Sequence, residues 1–581
     1  MSSGVTALVQ RGLTQIRSVS AFPIHFFLVL AMAFIAGAQT SAPLLQPEEQ
    51  SHSIRGTVIN EVTGSPIPRA LVFTGGMRFA MLTDGEGHFE FELPKPNTGN
   101  GVESQGYTFN STSLVARKPG FLDERYGRNL VEADAAPGAE VTIPLMPEAS
   151  ITGRVIFAEA DPALGATVQL FSRQVQNGIP RWLPAGSTRA NSNGEFRFAE
   201  LRPGLYRLGT NELPDTDPAD RIVGQEFAYP PVYFPSVADF AEAGTIQLAA
   251  GESVHADIPL TRQPYYPVRI PVVNGEAFSI PMIVTVSLGG HFSPGYSLGY
   301  NSEEQRIEGS LPRGEYVVEA AMQGENAGAG SVHLSVASAP AQGPSLTLTP
   351  NSSIAIHVVE EFTSNDGMSS GVWNSNGRSI TIHGPQLYLR VSAEPVDGLN
   401  RGGATLRPPT GRSDDPLILQ NLAPGRYWLQ LQSGRGYVAS ATMGGLDLLH
   451  EPFTVSPGSK TPIEITMRDD AAQIEGTIAG TGPTAVNAPH SAGLAPAYVY
   501  CVPSTDSPGQ FLELVASFDG KLEYGSVAPG TYHVLAFKTP QPDLPYRDAE
   551  AMKAFDGKGQ VVHFSAEQKT TVQLQVISTK E

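Results

Sequence analysis

Apolar and polar residues alternate with a period of two in short runs along most of this chain, and the runs are punctuated by Gly, Pro, Asn and Asp. That spacing places successive side chains on opposite faces of a strand. Related runs recur. IRGTVI (54–59), ITGRVI (151–156) and IEGTIA (474–479) read as opening strands, with glycine or polar residues between apolar ones. AEVTIPLM (139–146), VHADIPL (254–260), SLTLT (345–349), PIEITM (462–467) and TVQLQVI (571–577) read as closing strands. Between them lie TDGEGHFEF (83–91), NSNGEFRF (191–198) and a weaker echo, SFDGKLEY (517–524), each a polar turn leading into alternation, which predicts a hairpin.

A fourth element repeats as LRPGLY (201–206), LPRGEY (311–316), LAPGRY (422–427) and VAPGTY (527–532). Proline followed by glycine predicts a type II turn with a positive φ at the glycine, so Gly204, Gly425 and Gly530 are expected to be turn residues. Arg313 intervenes in the second copy, so the turn at Gly314 must differ in type. Tyr206, Tyr316, Tyr427 and Tyr532 then open strands.

An opening strand, a central hairpin, a tyrosine strand and a closing strand make one small antiparallel sandwich, and the openings lie roughly 85–120 residues apart, a domain's length. The expected architecture is all-β, a tandem array of five immunoglobulin-like or transthyretin-like sandwiches at 53–147, 148–262, 263–350, 351–469 and 470–581, each with its own core and weakly coupled to its neighbours. The third and fourth are the most diverged. Helix is expected only over 548–555, where Ala549, Met552 and Phe555 fall at helical spacing, and as a short turn over 237–242.

Residues 1–20 carry Arg11 and Arg17 and no acid, an apolar run follows from Phe22 to Ala36, and Ala36-Gly37-Ala38 offers a small-x-small cleavage site. This reads as an export signal over 1–38, giving a mature chain from Gln39 with a linker over 39–52. The apolar run is about fifteen residues, short of the roughly 20 needed to span a bilayer, and no later segment could span one. The expected location is the periplasm, the cell surface or the exterior. A net charge of −19 with no basic run argues against a nucleic-acid partner. A single cysteine, Cys501, permits no internal disulfide, so hydrophobic cores must hold the fold, and Cys501 itself is expected in a buried strand.

The run IRGTVINEVTGSPIPRALV with TDGEGHFEF resembles the carboxypeptidase regulatory-like domain: a G-x-V opening, a T-G-x-P-I-x-x-A-x-V hairpin and a T-D-x-x-G-x-F turn. ITGRVIFAEADPALGATVQL, NSNGEFRF and LRPGLYRL repeat the resemblance in the second unit. The family is a transthyretin-like sandwich grouped with carbohydrate-binding-like and Cna-B-like folds. YPPVYFPSVADFAEAGTIQLAAGE (229–252) and the last stretch resemble secreted proteins of soil bacteria that string such domains together. The resemblance implies an accessory domain and transfers no catalysis.

Candidate chemistry is sparse. His357-x-x-Glu360 with His490 imitates a zinc carboxypeptidase set, but Ile354, Ile356 and Val358 alternate through it, and positions i and i+3 of a strand face apart. Gly295-Tyr296-Ser297-Leu298-Gly299 matches G-x-S-x-G without the strand and helix a nucleophile elbow needs. The Asp84 and Asn191 turns lack the ligand number of a calcium loop. No catalytic residue, metal ligand or cofactor is therefore expected. Trp373, in a polar Gly/Ser/Asn stretch, and Trp182, in NGIPRWLPAG, read as exposed loop tryptophans and are the candidate ligand contacts, whereas Trp428 is expected to pack. The function these readings support is binding, adhesion or spacing at a bacterial cell envelope. The partner would be a polysaccharide or another envelope protein, with a carbohydrate-binding protein as the first alternative and a metallocarboxypeptidase as a remote one.

Overall fold

The computed structural model describes residues 52–577 apart from 75–79, 94–110, 123–129, 135–139, 216–224, 275–281, 323–326, 365–369, 376–377, 397–402, 413–414, 480–496, 505–506, 508, 518–519 and 539. The predicted export signal over 1–38, the cleavage at Gln39 and His490 lie outside the described residues. The chain is all-β. The predicted helix after Pro545 is one short turn, Ala549–Met552, capped by the Asp548 carboxylate on Ala551 N and continued as a 3-10 turn over Lys553–Phe555. The second predicted turn is Phe240–Glu242, capped by Asp239.

One pairing scheme occurs five times, and the sandwiches are numbered here by their opening strands. His52–Asn60 pairs antiparallel with His88–Leu93 and parallel with Glu140–Leu145. Ala149–Phe157 does the same with Glu195–Leu201 and with Ser253–His255 and Ile258–Leu260. Gln263–Val273 takes Arg306–Pro312 and, in parallel, Ala341–Gln342 and Leu346–Thr347. Ser352–Glu361 takes Leu417–Leu422 and Ile463–Arg468, and Ala472–Ala479 takes Lys521–Val527 and Lys569–Gln575. The sandwiches are thus antiparallel except where opening meets closing strand. That pair is separated by the whole of its unit, long enough for the crossover that parallel pairing requires. It also explains the glycine of the opening motif. A Cβ on Gly476 would run into the Val572 carbonyl of the closing strand, and one on Gly153 would lie 2.8 Å from Phe196 Cζ and against the Ala256 carbonyl.

Each sandwich encloses its own cluster of buried apolar side chains, centred for example on Ile54 and Ile143, Ile151 and Val168, Ile270 and Val318, Ile354 and Ile465, and Val499 and Val534. The tyrosines of the repeated turn lie in these cores. Tyr206, Tyr316, Tyr427 and Tyr532 donate their hydroxyls to the carbonyls of Arg202, Pro312, Ala423 and Ala528, at 2.8, 2.9, 2.8 and 2.8 Å. The acceptor is the fourth residue back in every copy, including the one with arginine between proline and glycine. This is a tyrosine corner, in which a ring hydroxyl satisfies a backbone carbonyl at the bend between strands. The type II turn is not formed at Gly204 or Gly530. Their φ values are 156° and 152°, far from the roughly 80° of that turn, and Gly204, Gly314, Gly425 and Gly530 are each the first residue of a strand.

The sandwiches are not independent beads. Leu213–Pro214 and Glu226–Tyr229, which the sequence places in the second unit, extend the sheet of the third. A satellite cluster of Phe171, Tyr233, Phe240 and Ala243, with Phe292 against it, fills the second–third seam. The tip of the second unit's hairpin between Thr167–Gln176 and Ile179–Arg189 reaches the fourth and fifth, as described next. In the fourth unit both layers belong to one sheet, because Ala404–Leu406 pairs with Leu389–Pro395 on one side and Leu417–Leu422 on the other.

Candidate functional site

A cleft of about 1410 Å³ opens between the fourth and fifth sandwiches, closed at one end by the second. Its fourth-unit wall follows from strand register. On Leu389–Pro395 and Gly425–Ser433, Leu389, Val391, Ala393, Tyr427 and Leu429 point into the core. The alternate residues therefore point outward as cross-strand pairs: Arg390 with Gln432, Ser392 with Gln430, and Glu394 with Trp428. The fifth-unit wall is aromatic. Tyr500 and Phe511 stack at 6.0 Å and 23°, and Phe511 and Tyr546 at 3.8 Å and 6°. The Arg547 guanidinium continues the stack, 5.6 Å from the Tyr546 ring centre and 4.5 Å from that of Trp428, and so joins the two walls.

The second unit supplies the closed end. Asn177 and Gly178 have φ of 48° and 77°, the two positive values of a type I′ turn, and form the tip of its long hairpin. The Asn177 side-chain amide donates to Glu394, Val175 N donates to Asp543 Oδ1 at 3.3 Å, and Arg547 N donates to the Gly178 carbonyl at 3.2 Å. Only glycine fits at the tip, since a Cβ on Gly178 would stand 2.8 Å from Tyr546 Cγ. The fourth and fifth units are also bridged by His450, whose ring nitrogens lie 2.7 Å from Asp447 Oδ2 and 2.7 Å from the Ser507 carbonyl.

Electrostatically the cleft is desolvated and short of acceptors. Burial holds the Arg547 guanidinium below its usual range and pushes the Tyr500 phenol up to about 12, although Gln541 N donates to its oxygen at 2.7 Å. Trp428 Nε1, Gln430 Nε2, Gln510 Nε2 and Arg547 Nη1 are buried without an acceptor, and every one of them is a donor. The site can bind a polar, acceptor-bearing molecule with an apolar face. Among the described residues no group of three or more His, Cys, Asp or Glu is arranged to hold a metal ion.

The structure brings one of the two candidate tryptophans to this cleft. Trp373 lines it, half-buried, on a hairpin strand, Gly371–Ser375, paired with Arg378–Ile382; it is not a loop residue. Trp182 is also on a strand, Ile179–Arg189, but lies in the second–third seam. Arg207 covers its face at 4.5 Å and Phe240 meets it edge-on at 6.5 Å. Trp428 packs as expected, against Arg547, and also lines the cleft. The four turn glycines and four corner tyrosines line neither wall; Tyr427 and Tyr532 lie in the cores behind the walls, and Tyr206 and Tyr316 in those of the second and third sandwiches.

The remaining sequence candidates lie elsewhere. His357 Nδ1 is 2.9 Å from Glu464 Oε1, whereas Glu360 accepts from the Tyr388 hydroxyl. Ser297 lies in a loop and donates both N–H and O–H to Glu212, whose carboxyl is pushed up by burial. Asp84 and Asn191 each accept two backbone N–H groups of their own hairpin turns. Cys501 is fully buried in Tyr498–Pro503, which pushes its thiol up to about 12.

Sequence reasoning missed Asn177, Gly178, Phe511, Tyr546 and Arg547. The Asn-Gly pair between alternating runs was a usable hairpin signal. For the others no local signal existed: Phe511 meets Tyr500 and Tyr546 only through the folding of the fifth unit, and Arg547 meets Trp428 of the fourth.

No family model and no curated protein matches the chain, so the carboxypeptidase regulatory-like family is not shown. Solved structures do match. The Bacillus anthracis TIE protein is 11% identical over 52% of this chain and 51% of its own, with a TM-score of 0.16, so the chain spans about half of its length. The minor pilin GBS52 of Streptococcus agalactiae is 15% identical over 37% and 97%, with a TM-score of 0.19. The major pilin subunit BcpA of Bacillus cereus is 10% identical over 55% and 99%, with a TM-score of 0.12. Scores this low carry no functional argument, and the all-β fold rests on the strand pairing itself. No described helix is long and apolar enough to cross a membrane.

Proposed function

We propose that this chain is an exported, non-enzymatic modular protein of the bacterial cell envelope that binds a polysaccharide segment in the cleft between its fourth and fifth sandwiches. The five-unit division at 53–147, 148–262, 263–350, 351–469 and 470–581 is part of that proposal, as is export through residues 1–38. The observation that carries it is the pairing of walls. The outward ladder of Arg390, Ser392, Gln430 and Gln432 lies across from Tyr500, Phe511 and Tyr546, with Trp373 at the margin. A pyranose has an apolar ring face and a rim of hydroxyls, so it can use both walls at once. Metallocarboxypeptidase activity has no observation in its favour.

Affinity electrophoresis of the exported protein through gels containing a panel of polysaccharides tests this. At least one polymer is expected to retard the protein, and Trp373→Ala and Gln430→Ala are each expected to weaken that retardation by about tenfold or more while the melting temperature stays unchanged. Retardation by none of the polymers, or retardation that survives both substitutions, would sink the proposal.

A further inference from the structure

Beside the cleft, on the far side of Trp428 and Arg547, lies a second, shallower pocket of about 530 Å³. Three sandwiches each bring an arginine to it. Arg173 comes from the second-unit strand Thr167–Gln176, Arg426 from the fourth-unit strand Gly425–Ser433, and Arg547 from the segment before the fifth unit's helix. Arg181 stands near enough to Arg547 to disfavour its charge.

Three arginines lining one pocket should recruit carboxylates, above all in a chain of net charge −19. The Glu394 charge is near enough to favour the Arg547 cation, but it forms no ion pair with it. Among the described residues none of the three side chains donates a hydrogen bond to a protein acceptor, and none has a carboxylate oxygen within 4.0 Å. The nearby acids are occupied otherwise. Asp548 caps Ala551 N at 3.0 Å, Asp543 accepts from Val175 N, and Glu394 accepts from Asn177. Elsewhere arginines in this chain do find acids, as Arg262 does with Asp215 and Arg407 with Asp415. Three arginine side chains that line one pocket, none of them held by a protein acceptor, suit an oxyanion, which a guanidinium takes up through two parallel bonds.

We propose that this pocket is a subsite for the oxyanion groups of an acidic polysaccharide, an inference that rests on the reading of the cleft as a glycan site. The two cavities share Trp428 and Arg547 in their walls. A sugar ring seated in the cleft therefore carries its acid group past Trp428 toward the arginines, and the stacked, desolvated Arg547 is the residue common to ring and acid.

The test uses the full mature chain and two pairs of polymers that differ only in charge: polygalacturonate against its methyl ester, and dextran sulfate against dextran. Arg173 and Arg426 are exposed, so the double variant Arg173→Gln/Arg426→Gln should fold as the parent does. The expected result is that an acidic polymer binds about tenfold or more tighter than its neutral partner, and that the double variant removes this advantage while its melting temperature and any affinity for the neutral polymer stay unchanged. Equal affinity for the members of both pairs, or an acidic preference that survives the double variant, overturns the subsite and leaves the cleft proposal standing. Binding of none of the four, together with none in a wider neutral panel, overturns both.

Discussion

Two arginines in this chain lie over tryptophan rings at the same distance, 4.5 Å from guanidinium carbon to ring centre, yet the two stacks do different work. Arg207 over Trp182 sits in the seam of the second and third sandwiches. Its Nη1 donates to the Phe240 carbonyl at 2.7 Å and its Nη2 to the Ala241 carbonyl at 3.4 Å, and the Phe240 ring beside it, 5.2 Å from the guanidinium carbon, is met edge-on by Phe171, Tyr233 and Phe292. Arg547 over Trp428 sits where the second, fourth and fifth sandwiches meet, and its side chain donates to no protein acceptor among the described residues. Cation–π geometry is common to both and distinguishes nothing. What separates a joint from a binding surface is where the remaining N–H groups go. In the first stack Nη1 and Nη2 are taken by backbone carbonyls and Nε alone is buried without an acceptor; in the second no side-chain N–H has a protein acceptor among the described residues.

The harshest way to break this comparison is to overpack the hairpin tip that supports the second stack. Gly178→Val places a β-branched side chain at φ 77°, with its Cβ 2.8 Å from Tyr546 and 2.9 Å from Arg547 N. Strain and overpacking together are expected to cost about 2–5 kcal/mol. Because the tip of the second unit touches both the fourth and the fifth, the loss should appear as earlier unfolding of the contact between them, read by urea denaturation with tryptophan fluorescence in a chain where Trp182 and Trp373 are replaced by phenylalanine, leaving Trp428 as the sole indole. An unchanged midpoint would mean that the three-sandwich junction does not form in solution, and that the units are the loosely strung beads their sequence suggests.

A gentler substitution sharpens the contrast. Arg207→Met keeps the length of the side chain but forfeits both carbonyl bonds and the cation, for an expected loss of about 1.5–3 kcal/mol in thermal or chemical denaturation. Arg547→Met removes a desolvated cation with no hydrogen bond to lose, so its expected change is within about 1 kcal/mol in either direction. Equal losses at the two sites would erase the distinction between joint and binding surface.

The strands were legible because burial on one face forces period-two alternation, and five repeats of the same alternation made the tandem architecture legible too. Features that depend on a partner far away in sequence were not. The parallel pairing of Ala472–Ala479 with Lys569–Gln575 is invisible to a local pattern, and so is the bond between Val175 and Asp543. Trp182 was misread as a loop residue because Pro180 and Pro184 flank it. Both prolines are tolerated because Ile179–Arg189 is the edge strand of its sheet and its pairing shifts between Pro184 and Gly186. Trp373 was misread because Ser, Asn and Gly surround it in sequence, and the apolar face it shares with Ile380 and Ile382 is made only by pairing with the second strand of a two-stranded ribbon. The repeated Pro-Gly-Tyr was seen, but its turn type was taken from proline and glycine alone. The invariant element is the tyrosine and the carbonyl four residues before it.

That correction leads to the smallest expected effect, and it bears on whether the fourth and fifth sandwiches unfold as one body. Tyr427 and Tyr532 lie in the cores behind the two walls of the cleft, 1% and 0% exposed. The Tyr427 hydroxyl donates to the Ala423 carbonyl, and that of Tyr532 donates to the Ala528 carbonyl and accepts from Gln510 N; both carbonyls belong to buried residues. Replacement by phenylalanine keeps the ring and its packing, so the cost is the net value of the hydroxyl's hydrogen bonding, about 1–2 kcal/mol, rather than that of a cavity. If the junction couples the two sandwiches, Tyr427→Phe and Tyr532→Phe shift the same calorimetric transition, and their effects add. If each shifts a separate transition, the cleft is a contact between independently melting units, and the Arg547 stack is then a surface that opens at little cost. A loss near zero at both positions would remove the tyrosine corner as the reason for the repeat.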